Sequence, residues 1–459
     1  MQSPRKTALD ILLRVDTDGS YSNLALDAAL EKARLSGRDA SFVTALVYGV
    51  TERRLTLDYW ITAFARRPVS KIQPVLRNIL RLGICQLIFL DKVPGPAAVN
   101  ESVELAKAAG MRYAAGFVNG VLRAVDRGRG DLPYPDRLKD EDAYLAVRYS
   151  CPKWLIGKWA GEYGREELPG LLESLHTRRP LAGCVNSLKT TPEELLETLA
   201  AQGVEARLEP LLGGAGRDAG ECLVFDRLPD LRGLPAFKDG FFLIQGRASQ
   251  LCCRAVGPRP GETVLDLCAA PGGKSFHMAF LMGGRGVVRS CEVYESRLQL
   301  IEQGARRLGI TIVEPCRNDA SVHNPALGEA DRVLCDVPCS GLGVVSRKPE
   351  IRYRDPASLE AFPPLQYAIL CEGAAHVREG GLLAYSTCTL SRAENDEVAL
   401  RFLGEHPDFR PAPLPACMNE GQPVNAHTVT LLPHRYGTDG FFIALFERRA
   451  RAADVRRTT

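Results

Sequence analysis

The chain has 459 residues, of which 45% are hydrophobic and 25% charged, and its formal net charge is +3. These values are typical of soluble globular proteins, and the length suggests about three domains. No apolar run reaches the roughly 18 residues of a membrane helix, and the first residues lead into an amphipathic pattern rather than a signal peptide. We therefore expect a cytoplasmic protein that does not contact a membrane.

The 14 cysteines are scattered along the chain and form no paired CxxC framework. A long chain with this pattern is expected to keep its cysteines mostly reduced. Cys252-Cys253 and the pair Cys335 and Cys339 lack a second ligand pair at zinc-site spacing. The sequence therefore predicts no metal site.

Residues 4 to about 127 follow a helical pattern. Ala8, Ile11, Leu12 and Val15 fall on one helix face, and Pro74 is suited to the first position of a later helix. We expect an all-α domain over residues 1–129.

The charges of this domain are uneven between Val50 and Arg81, where seven cations stand against the two acids Glu52 and Asp58. The cations are Arg53, Arg54, Arg66, Arg67, Lys71, Arg77 and Arg81. Such a stretch is either a surface that contacts phosphates or an ordinary solvated face, and the charges alone leave both open.

Residues 130–240 carry weaker signals and are interpreted as a linker and a small α+β module. Asp131 to Pro135 reads as linker, and Thr191 followed by Pro192 predicts the start of a helix, with Thr191 as its N-cap. Residues 241–450 are interpreted as a catalytic domain, and residues 451–459 as a basic tail.

Within residues 241–450 strand and helix patterns alternate. The predicted strands are Val264 to Leu267, Val287 to Cys291, Ile310 to Val313, Val333 to Asp336, Leu382 to Ser386 and Phe441 to Phe446. Alternating strands and helices predict a doubly wound parallel sheet with ligands at the carboxyl ends of its strands. No crossover helix follows the last strand, and an antiparallel last strand is typical of the Rossmann-like methyltransferase fold.

The stretch from Thr263 to Ser275 predicts a strand, a tight turn and the start of a helix, which together present backbone N–H groups to a ligand. A Walker A loop would require glycine where Cys268 stands, and residues 268–273 also fail the dinucleotide pattern G-x-G-x-x-G. A nucleoside cofactor such as S-adenosylmethionine remains possible, and an ordinary β-α turn is the alternative.

Acidic or reactive side chains follow the next four predicted strands. Glu292 lies about 25 residues after Asp266, near the spacing at which an acid accepts hydrogen bonds from a ribose. Asp319 could meet an adenine amino group, Asp336 ends the fourth strand, and Cys388 follows the fifth. Because carboxyl ends of parallel strands meet at one edge, we expect these four side chains to converge on one crevice.

Cys339 and Cys388 bear on the class of reaction. Carbon C5 of a pyrimidine is a poor nucleophile, and a thiolate that adds to C6 makes C5 able to attack a sulfonium methyl group. Asp336 could stabilise the charge formed at the N3 and amino edge of the ring. These residues therefore indicate methylation of a pyrimidine carbon.

Five phrases in the first 123 residues resemble the NusB-type RNA-binding domain. They are SYSNLAL (20–26), RDASFVTALVYGV (38–50), LRLGICQLIFLDKVP (80–94), AAVNESVELAK (97–107) and GFVNGVLR (116–123). The resemblance implies contact with RNA and favours the phosphate-contacting reading of the basic stretch.

Four further motifs resemble the Nop/Sun RNA cytosine-C5 methyltransferases, and with the NusB-like domain included they resemble the RsmB (Fmu/Sun) type of that family. They are CAAPGGK (268–274), DVPCSGLG (336–343), STCT (386–389) and DGFF (439–442). The resemblance implies methyl transfer from S-adenosyl-L-methionine to a cytosine of 16S ribosomal RNA, either naked or in an early 30S particle. No obligatory protein partner is evident from the sequence.

The resemblance also implies roles for individual residues. Cys388 is the implied nucleophile, Cys339 assists release of the product, and Lys274 is expected near the crevice, where it orders Asp336 or the RNA. The residues implied to bind the cofactor are Cys268, Ala269, Ala270, Pro271, Gly272, Gly273, Lys274, Glu292, Asp319 and Asp336.

Two questions stay open at this point, the identity of the nucleophile and the class of function. DNA cytosine methyltransferases use the cysteine that follows proline, which corresponds here to Cys339, so the residues themselves do not decide between the two thiols. The protein could also be a non-catalytic, antitermination-like RNA-binding factor, or a methyltransferase that acts on another RNA or on protein.

Overall fold

The computed structural model describes residues 3–18, 26, 29–30, 35, 37–212, 221–228, 231–418 and 426–450. The chain forms two compact units, Met1–Thr177 with Val345–Pro356 and Arg178–Val344 with Ala357–Thr459. Most of the phrase SYSNLAL (20–26) and the whole predicted tail 451–459 lie outside the described residues. Within the described ranges, no helix has both the length and the apolar character needed to cross a bilayer.

The first unit is all-α, as predicted. Its helices are α1 (Pro4–Asp18), α2 (Gly37–Glu52), α3 (Arg54–Ala65), α4 (Pro74–Phe89), α5 (Gly95–Ala108), α6 (Ala115–Arg127), α7 (Glu141–Arg148), α8 (Lys153–Tyr163) and α9 (Leu168–Ser174), with 3₁₀ turns at Val69–Lys71 and Arg112–Ala114. Ala8, Ile11 and Leu12 are buried on one face of α1. Trp60 is buried in the same core and stacks on Phe89 at 6.0 Å between ring centroids.

Much of the positive charge between Val50 and Arg81 is neutralised inside this unit. Arg81 is buried and pairs with Asp58 at 2.7 Å and with Asp16 at 3.1 Å. Arg77 and Arg54 also pair with Asp16, and Arg53 pairs with Glu52. The exposed cations that remain are Arg66, Arg67 and Lys71, so the phosphate-contacting surface predicted from the sequence is reduced to the turn after α3.

The segment Val345–Pro356 belongs to the first unit although it directly follows the DVPCSGLG motif in the chain. Its 3₁₀ helix, Pro349–Tyr353, buries Arg352 completely. The Arg352 guanidinium donates to the carbonyl oxygens of Glu52 and Tyr149 at 3.3 Å and of Ser150 at 3.2 Å. These three hydrogen bonds all come from Nη1 and fix the segment to the helices, whereas Nε and Nη2 are buried without a hydrogen-bond partner among the described residues.

The second unit contains the predicted α+β module. Strands β1 (Leu181–Val185), β2 (Glu205–Pro210), β3 (Glu221–Arg227) and β4 (Phe242–Ile244) form an antiparallel sheet in the order β2-β3-β1-β4, accompanied by helices α10 (Pro192–Ala201) and α11 (Pro235–Lys238). Thr191 caps α10 in a full capping box with Glu194, and Pro192 occupies the first turn, which confirms the predicted start. The domain boundaries at residues 129, 240 and 450 stay predictions.

The larger sheet is the predicted doubly wound one. Its strands are β5 (Thr263–Asp266), β6 (Val287–Glu292), β7 (Val313–Arg317), β8 (Ala330–Asp336), β9 (Val377–Thr387), β10 (Phe409–Pro411), β11 (Thr428–Leu431) and β12 (Phe441–Arg448), in the order β10-β12-β9-β8-β5-β6-β7 with β11 on β12. Strands β5 to β9 are parallel, and β12 is antiparallel to β9. The helices around it are α12 (Arg247–Val256), α13 (Gly273–Leu281), α14 (Glu295–Leu308), α15 (Phe362–Ala375), α16 (Asp396–Glu405) and α17 (Pro433–Tyr436).

The predicted third strand, Ile310 to Val313, is wrong in position. Helix α14 ends at Gly309, which has φ 71°, and the N–H of Ile310 donates to the Ala305 carbonyl at 2.9 Å. Ile310 is therefore buried against the helix end, as in other glycine-capped helices. The strand β7 begins at Val313 and runs through Glu-Pro-Cys-Arg, a polar sequence that lies at the sheet edge and lacks a strand pattern.

The DVPCSGLG, STCT and DGFF loops are in backbone contact with one another at Gly343. Gly343 N–H donates to the Cys388 carbonyl at 3.0 Å, and Gly440 N–H donates to the Gly343 carbonyl at 2.8 Å. A Cβ at position 343 would lie 2.1 Å from the Gly440 oxygen and 2.8 Å from the Cys388 oxygen. Glycine at 343 therefore allows the DVPCSGLG loop to lie on the STCT and DGFF loops.

We expect Gly343→Ala to destabilise the second unit by about 2 kcal/mol. The backbone oxygens of Gly440 and Cys388 cannot move away from the new Cβ as easily as a flexible side chain could. Gly404→Ala is the matched control, since a Cβ there meets no atom within 4 Å and lies in helix α16. Thermal unfolding should show a lower midpoint for Gly343→Ala and an equal or higher one for Gly404→Ala. Equal midpoints for Gly343→Ala and the unchanged protein would contradict this reading of the contact.

Candidate active site

The loop between β5 and α13 is the predicted Cys268–Lys274 turn. Gly272 has φ 105°, and a Cβ there would lie 2.3 Å from the Phe276 ring, so only glycine fits. The Ala269 N–H donates to the Cys291 carbonyl at 2.9 Å, which ties the loop to β6. Helix α13 begins at Gly273, so its N-terminal N–H groups lie next to the loop.

Asp266 ends β5 beneath this loop and is buried. Its Oδ2 accepts a hydrogen bond from Ser275 Oγ at 2.7 Å, and no donor among the described residues makes a hydrogen bond to Oδ1. Burial raises the pKa of Asp266 to about 7, although the hydrogen bond from Ser275 acts in the opposite direction. The side chain is therefore close to half protonated at neutral pH.

Lys274 contacts the three other motifs directly or through one residue. Its Nζ lies 2.6 Å from Asp336 Oδ2 and 5.2 Å from the centroid of the Phe441 ring. Ser386 Oγ donates to the second oxygen of Asp336, Oδ1, at 2.8 Å. One residue from each of the four motifs thus lies in a single chain of contacts.

The charges of this pair stabilise each other. Burial alone would lower the pKa of Lys274, and the neighbouring Asp336 carboxylate outweighs it, so the pKa of Lys274 is raised. Lys274 therefore stays protonated at neutral pH, and its side chain is only 13% exposed. A cation held there fixes the position of the Asp336 carboxylate at the end of β8.

Glu292 lies at the end of β6, as predicted, and is buried. Its Oε1 accepts hydrogen bonds from the backbone N–H of Val293 at 3.0 Å and of Tyr294 at 3.1 Å, and its Oε2 pairs with Arg297 at 3.0 Å. Arg297 also donates to the Ala270 carbonyl at 2.9 Å. Arg297, which the sequence patterns did not single out, therefore connects Glu292 with the Cys268–Lys274 loop.

Asp319 is exposed beyond the end of β7. Its Oδ1 accepts hydrogen bonds from the Ser321 hydroxyl at 2.7 Å and the Ser321 N–H at 3.0 Å, and these bonds lower the pKa of Asp319. Unlike Lys274, Asp336 and Ser386, it makes its described hydrogen bonds within its own turn. The carboxylate is ionised at neutral pH and open to a ligand.

The two predicted cysteines face each other. Cys339 Sγ lies 3.2 Å from Cys388 Sγ, and both residues are partly exposed. The contact with Cys388 comes first among the causes that raise the pKa of Cys339 well above its usual range, followed by burial and by the charge of Glu394. Two thiols this close titrate as a pair.

The sequence analysis missed a buried polar cluster behind the cysteines, consisting of Glu394, Ser340, Thr389 and Gln366. Glu394 accepts a hydrogen bond from Ser340 Oγ at 2.6 Å, and Ser340 Oγ lies 2.7 Å from Thr389 Oγ1. Ser340 and Thr389 directly follow Cys339 and Cys388 in the chain. That adjacency was a possible signal. Glu394 carries none, because its hydrogen-bond partners Ser340 and Gln366 are 54 and 28 positions away.

No group of three or more histidine, cysteine and acidic side chains that could hold a metal ion occurs among the residues that the structure describes. The sheet order, the antiparallel β12, the glycine loop after β5 and the acids at the following strand ends together define a Rossmann-like methyltransferase domain. It is combined with an all-α domain and a small α+β module in one chain.

Comparison with known proteins gives the family. Residues 253–447 match the family model of the 16S rRNA methyltransferase RsmB/F, residues 2–127 match the NusB family, and residues 151–215 match the ferredoxin-like domain of RsmF/B-like methyltransferases. The probable ribosomal RNA small subunit methyltransferase B of Bacillus subtilis is 38% identical over 456 residues, which are 97% of this chain and 99% of that protein. The chain therefore belongs to the RsmB/F family of 16S rRNA methyltransferases.

Two further proteins are similar over almost the whole length. The probable ribosomal RNA small subunit methyltransferase B of Synechocystis is 38% identical over 449 residues, 97% of this chain and 99% of that protein. The crystal structure of the protein PH0851 superimposes with a TM-score of 0.79 at 27% identity and covers 98% of this chain and 99% of that one. Both support the three-part architecture of NusB-like, ferredoxin-like and methyltransferase domains.

We expect the buried Asp266 to make stability fall as the pH rises. Because its pKa is raised on folding, its contribution to stability is present below its unfolded pKa and is lost as the pH passes through about 7. The side chain of Asp266→Asn cannot ionise. The melting temperature of this variant, relative to that of the unchanged protein, should therefore be several degrees higher at pH 8.5 than at pH 5. Exposed Asp239→Asn is the control and should follow the unchanged protein. A constant difference for Asp266→Asn at all pH values would contradict the prediction.

Proposed function

We propose that this protein transfers the methyl group of S-adenosyl-L-methionine to C5 of a cytosine in 16S ribosomal RNA, through a covalent bond between Cys388 and C6. The observation that carries the proposal is the approach of Cys339 and Cys388 to 3.2 Å, on loops that follow the ends of β8 and β9. Methylation of an amino group or a ribose would leave this thiol pair without a role. The names of the family and of the relatives supply the RNA substrate.

The cofactor would be held by the edge of the sheet formed by the ends of β5 to β8. The Cys268–Gly273 loop and the start of α13 offer backbone N–H groups, and Glu292, Asp319 and Asp336 offer carboxylates to hydroxyl and amino groups. Val293 and Tyr294 are exposed beside Glu292 and are suited to cover an adenine ring. This donor set fits an adenosyl group, whose sulfonium supplies the methyl group when it is bound.

Cys388 is proposed as the nucleophile. Its thiolate forms a bond to C6 of the cytosine, so that electron density moves to C5 and to the N3 edge, and C5 then accepts the methyl group. Loss of the C5 proton to a base restores the ring double bond and breaks the S–C6 bond. The choice of Cys388 over Cys339 rests on the match of STCT (386–389) to the motif of the RNA cytosine-C5 methyltransferases.

Asp336 and Lys274 are proposed to position the cytosine ring. Asp336 is 26% exposed, so its carboxylate is accessible to the N3 and amino edge of a base that has left its stack. Lys274 and Ser386 engage one oxygen each and fix the orientation of this carboxylate. Lys274 is thus assigned to ordering Asp336.

Contact with RNA beyond the target base is assigned to the NusB-like domain. The exposed Arg66, Arg67 and Lys71 lie around one turn and are available for phosphates, in contrast to the paired arginines of α3 and α4. A non-catalytic RNA-binding role would use this surface too, but it gives no reason for two thiols and an ion pair at adjoining strand ends.

The assignment of the two cysteines predicts opposite behaviour of their variants. With 16S RNA and S-adenosylmethionine, Cys339→Ala should accumulate a covalent protein–RNA adduct, because addition and methyl transfer proceed and release is slowed. Cys388→Ala should form no adduct, because the bond to C6 cannot form. Denaturing gels of the mixtures, with ribonuclease treatment as the control for the RNA component, measure both. An adduct with Cys388→Ala and none with Cys339→Ala would reverse the assignment.

A further inference from the structure

The polar cluster behind the cysteines is organised by one carboxylate. Glu394 lies in the 3₁₀ helix Arg392–Glu394 and is 1% exposed. Its Oε1 accepts from Ser340 Oγ at 2.6 Å, and its Oε2 accepts from the Ser340 N–H at 2.9 Å and from Gln366 Nε2 at 3.0 Å. Three hydrogen bonds compensate the burial of this carboxylate.

The same carboxylate connects both cysteine loops. Ser340, the residue after Cys339, is held by Glu394 through its N–H and its hydroxyl, and this hydroxyl also contacts the hydroxyl of Thr389, the residue after Cys388. Asn395, next to Glu394, donates to the Thr389 carbonyl at 3.0 Å and accepts from Thr387 Oγ1 at 2.6 Å. Cys388 is thus held from both sides, and Cys339 is held through Ser340.

The charge of Glu394 acts on the thiol of Cys339. It is held on the residue that follows Cys339, and it is among the causes that raise the pKa of that thiol, after the contact with Cys388 and burial. Tyr385, whose hydroxyl donates to the Glu394 carbonyl, is a further titratable group near Cys339. Glu394 thus places a carboxylate on the residue that follows Cys339 in the chain.

We propose that Glu394 is a positioning residue of the cysteine pair, which holds the two cysteine loops together through Ser340 and keeps the proton of the pair on Cys339, so that the thiolate forms on Cys388. This inference rests on the proposed function for its biological meaning, but the state of the pair can be measured without RNA. When the pair ionises once, the proton that leaves comes from Cys388, and the remaining proton on Cys339 can be donated to the Cys388 sulfur.

The test is the pH dependence of thiol alkylation. The full-length protein is treated with iodoacetamide from pH 6 to pH 10, and the peptides that carry Cys339 and Cys388 are quantified by mass spectrometry. In the unchanged protein Cys388 should react at lower pH than Cys339. In Glu394→Gln, which keeps the shape and removes the charge, the midpoint for Cys339 should fall by about one pH unit. The gap between the two cysteines should narrow accordingly.

Glu397→Gln is the matched control, because Glu397 is exposed on the adjoining helix α16 and the substitution removes the same charge. It should leave both midpoints unchanged. Unchanged midpoints in a folded Glu394→Gln protein would overturn the charge part of the proposal. If the alkylation result is as expected and no cytosine methylation is found, the proposed function fails while the inference about the pair holds.

Ser340→Ala tests the positioning part separately and keeps the proposal testable if Glu394→Gln does not fold. It removes the hydroxyl between Glu394 and Thr389 and leaves the charge in place. Cys388 should still be alkylated before Cys339, whereas kcat for RNA methylation should fall about tenfold with an unchanged KM for S-adenosylmethionine. A kcat equal to that of the unchanged protein, or a reversed alkylation order, would contradict the proposal.

Discussion

The close approach of three loops at Gly343 is the constraint on which the site depends. Its N–H donates to the Cys388 carbonyl, and its carbonyl accepts from Gly440. These two backbone hydrogen bonds join three loops, which follow β8, follow β9 and precede β12. The loops can approach this closely because Gly343 has no side chain. The 3.2 Å contact of Cys339 and Cys388 is possible because the loops that carry them are already joined there.

Two groups of charged side chains lie near this junction, the Lys274–Asp336 ion pair and the Glu394 carboxylate. Lys274 and Asp336 form an ion pair on the side of the Cys268–Lys274 loop, where one half of the pair stays partly exposed. Glu394 lies on the other side, fully buried, and has hydrogen-bond donors instead of a cation. The Asp336 carboxylate is accessible to a ligand, whereas the Glu394 carboxylate is enclosed by the protein's own groups.

Much of the fold followed from local pattern, and the departures have local causes. The capping of α10 by Thr191 was predictable because a helix cap is a short-range signal. The predicted position of strand β7 was wrong because the apolar Ile310 is buried at the end of helix α14, and β7 itself is a polar edge strand. At the site, the cysteines and Lys274 lie in recognisable motifs, but Glu394 does not, because its partners Ser340 and Gln366 are 54 and 28 positions away. Arg297 was missed because its link to the Cys268–Lys274 loop joins residues 27 positions apart. The charges of the basic stretch left two readings open for a similar reason, since Asp16, which pairs with Arg54, Arg77 and Arg81, comes from helix α1.

The central claim is that this protein methylates C5 of a cytosine in 16S ribosomal RNA through Cys388. Bisulfite sequencing of 16S RNA incubated with S-adenosylmethionine and either the unchanged protein or Cys388→Ser tests it most directly, because only a C5-methylated cytosine resists conversion. The account predicts one newly resistant cytosine with the unchanged protein and none with Cys388→Ser. Resistance at the same position with Cys388→Ser, or methyl transfer that leaves every cytosine convertible, would contradict it.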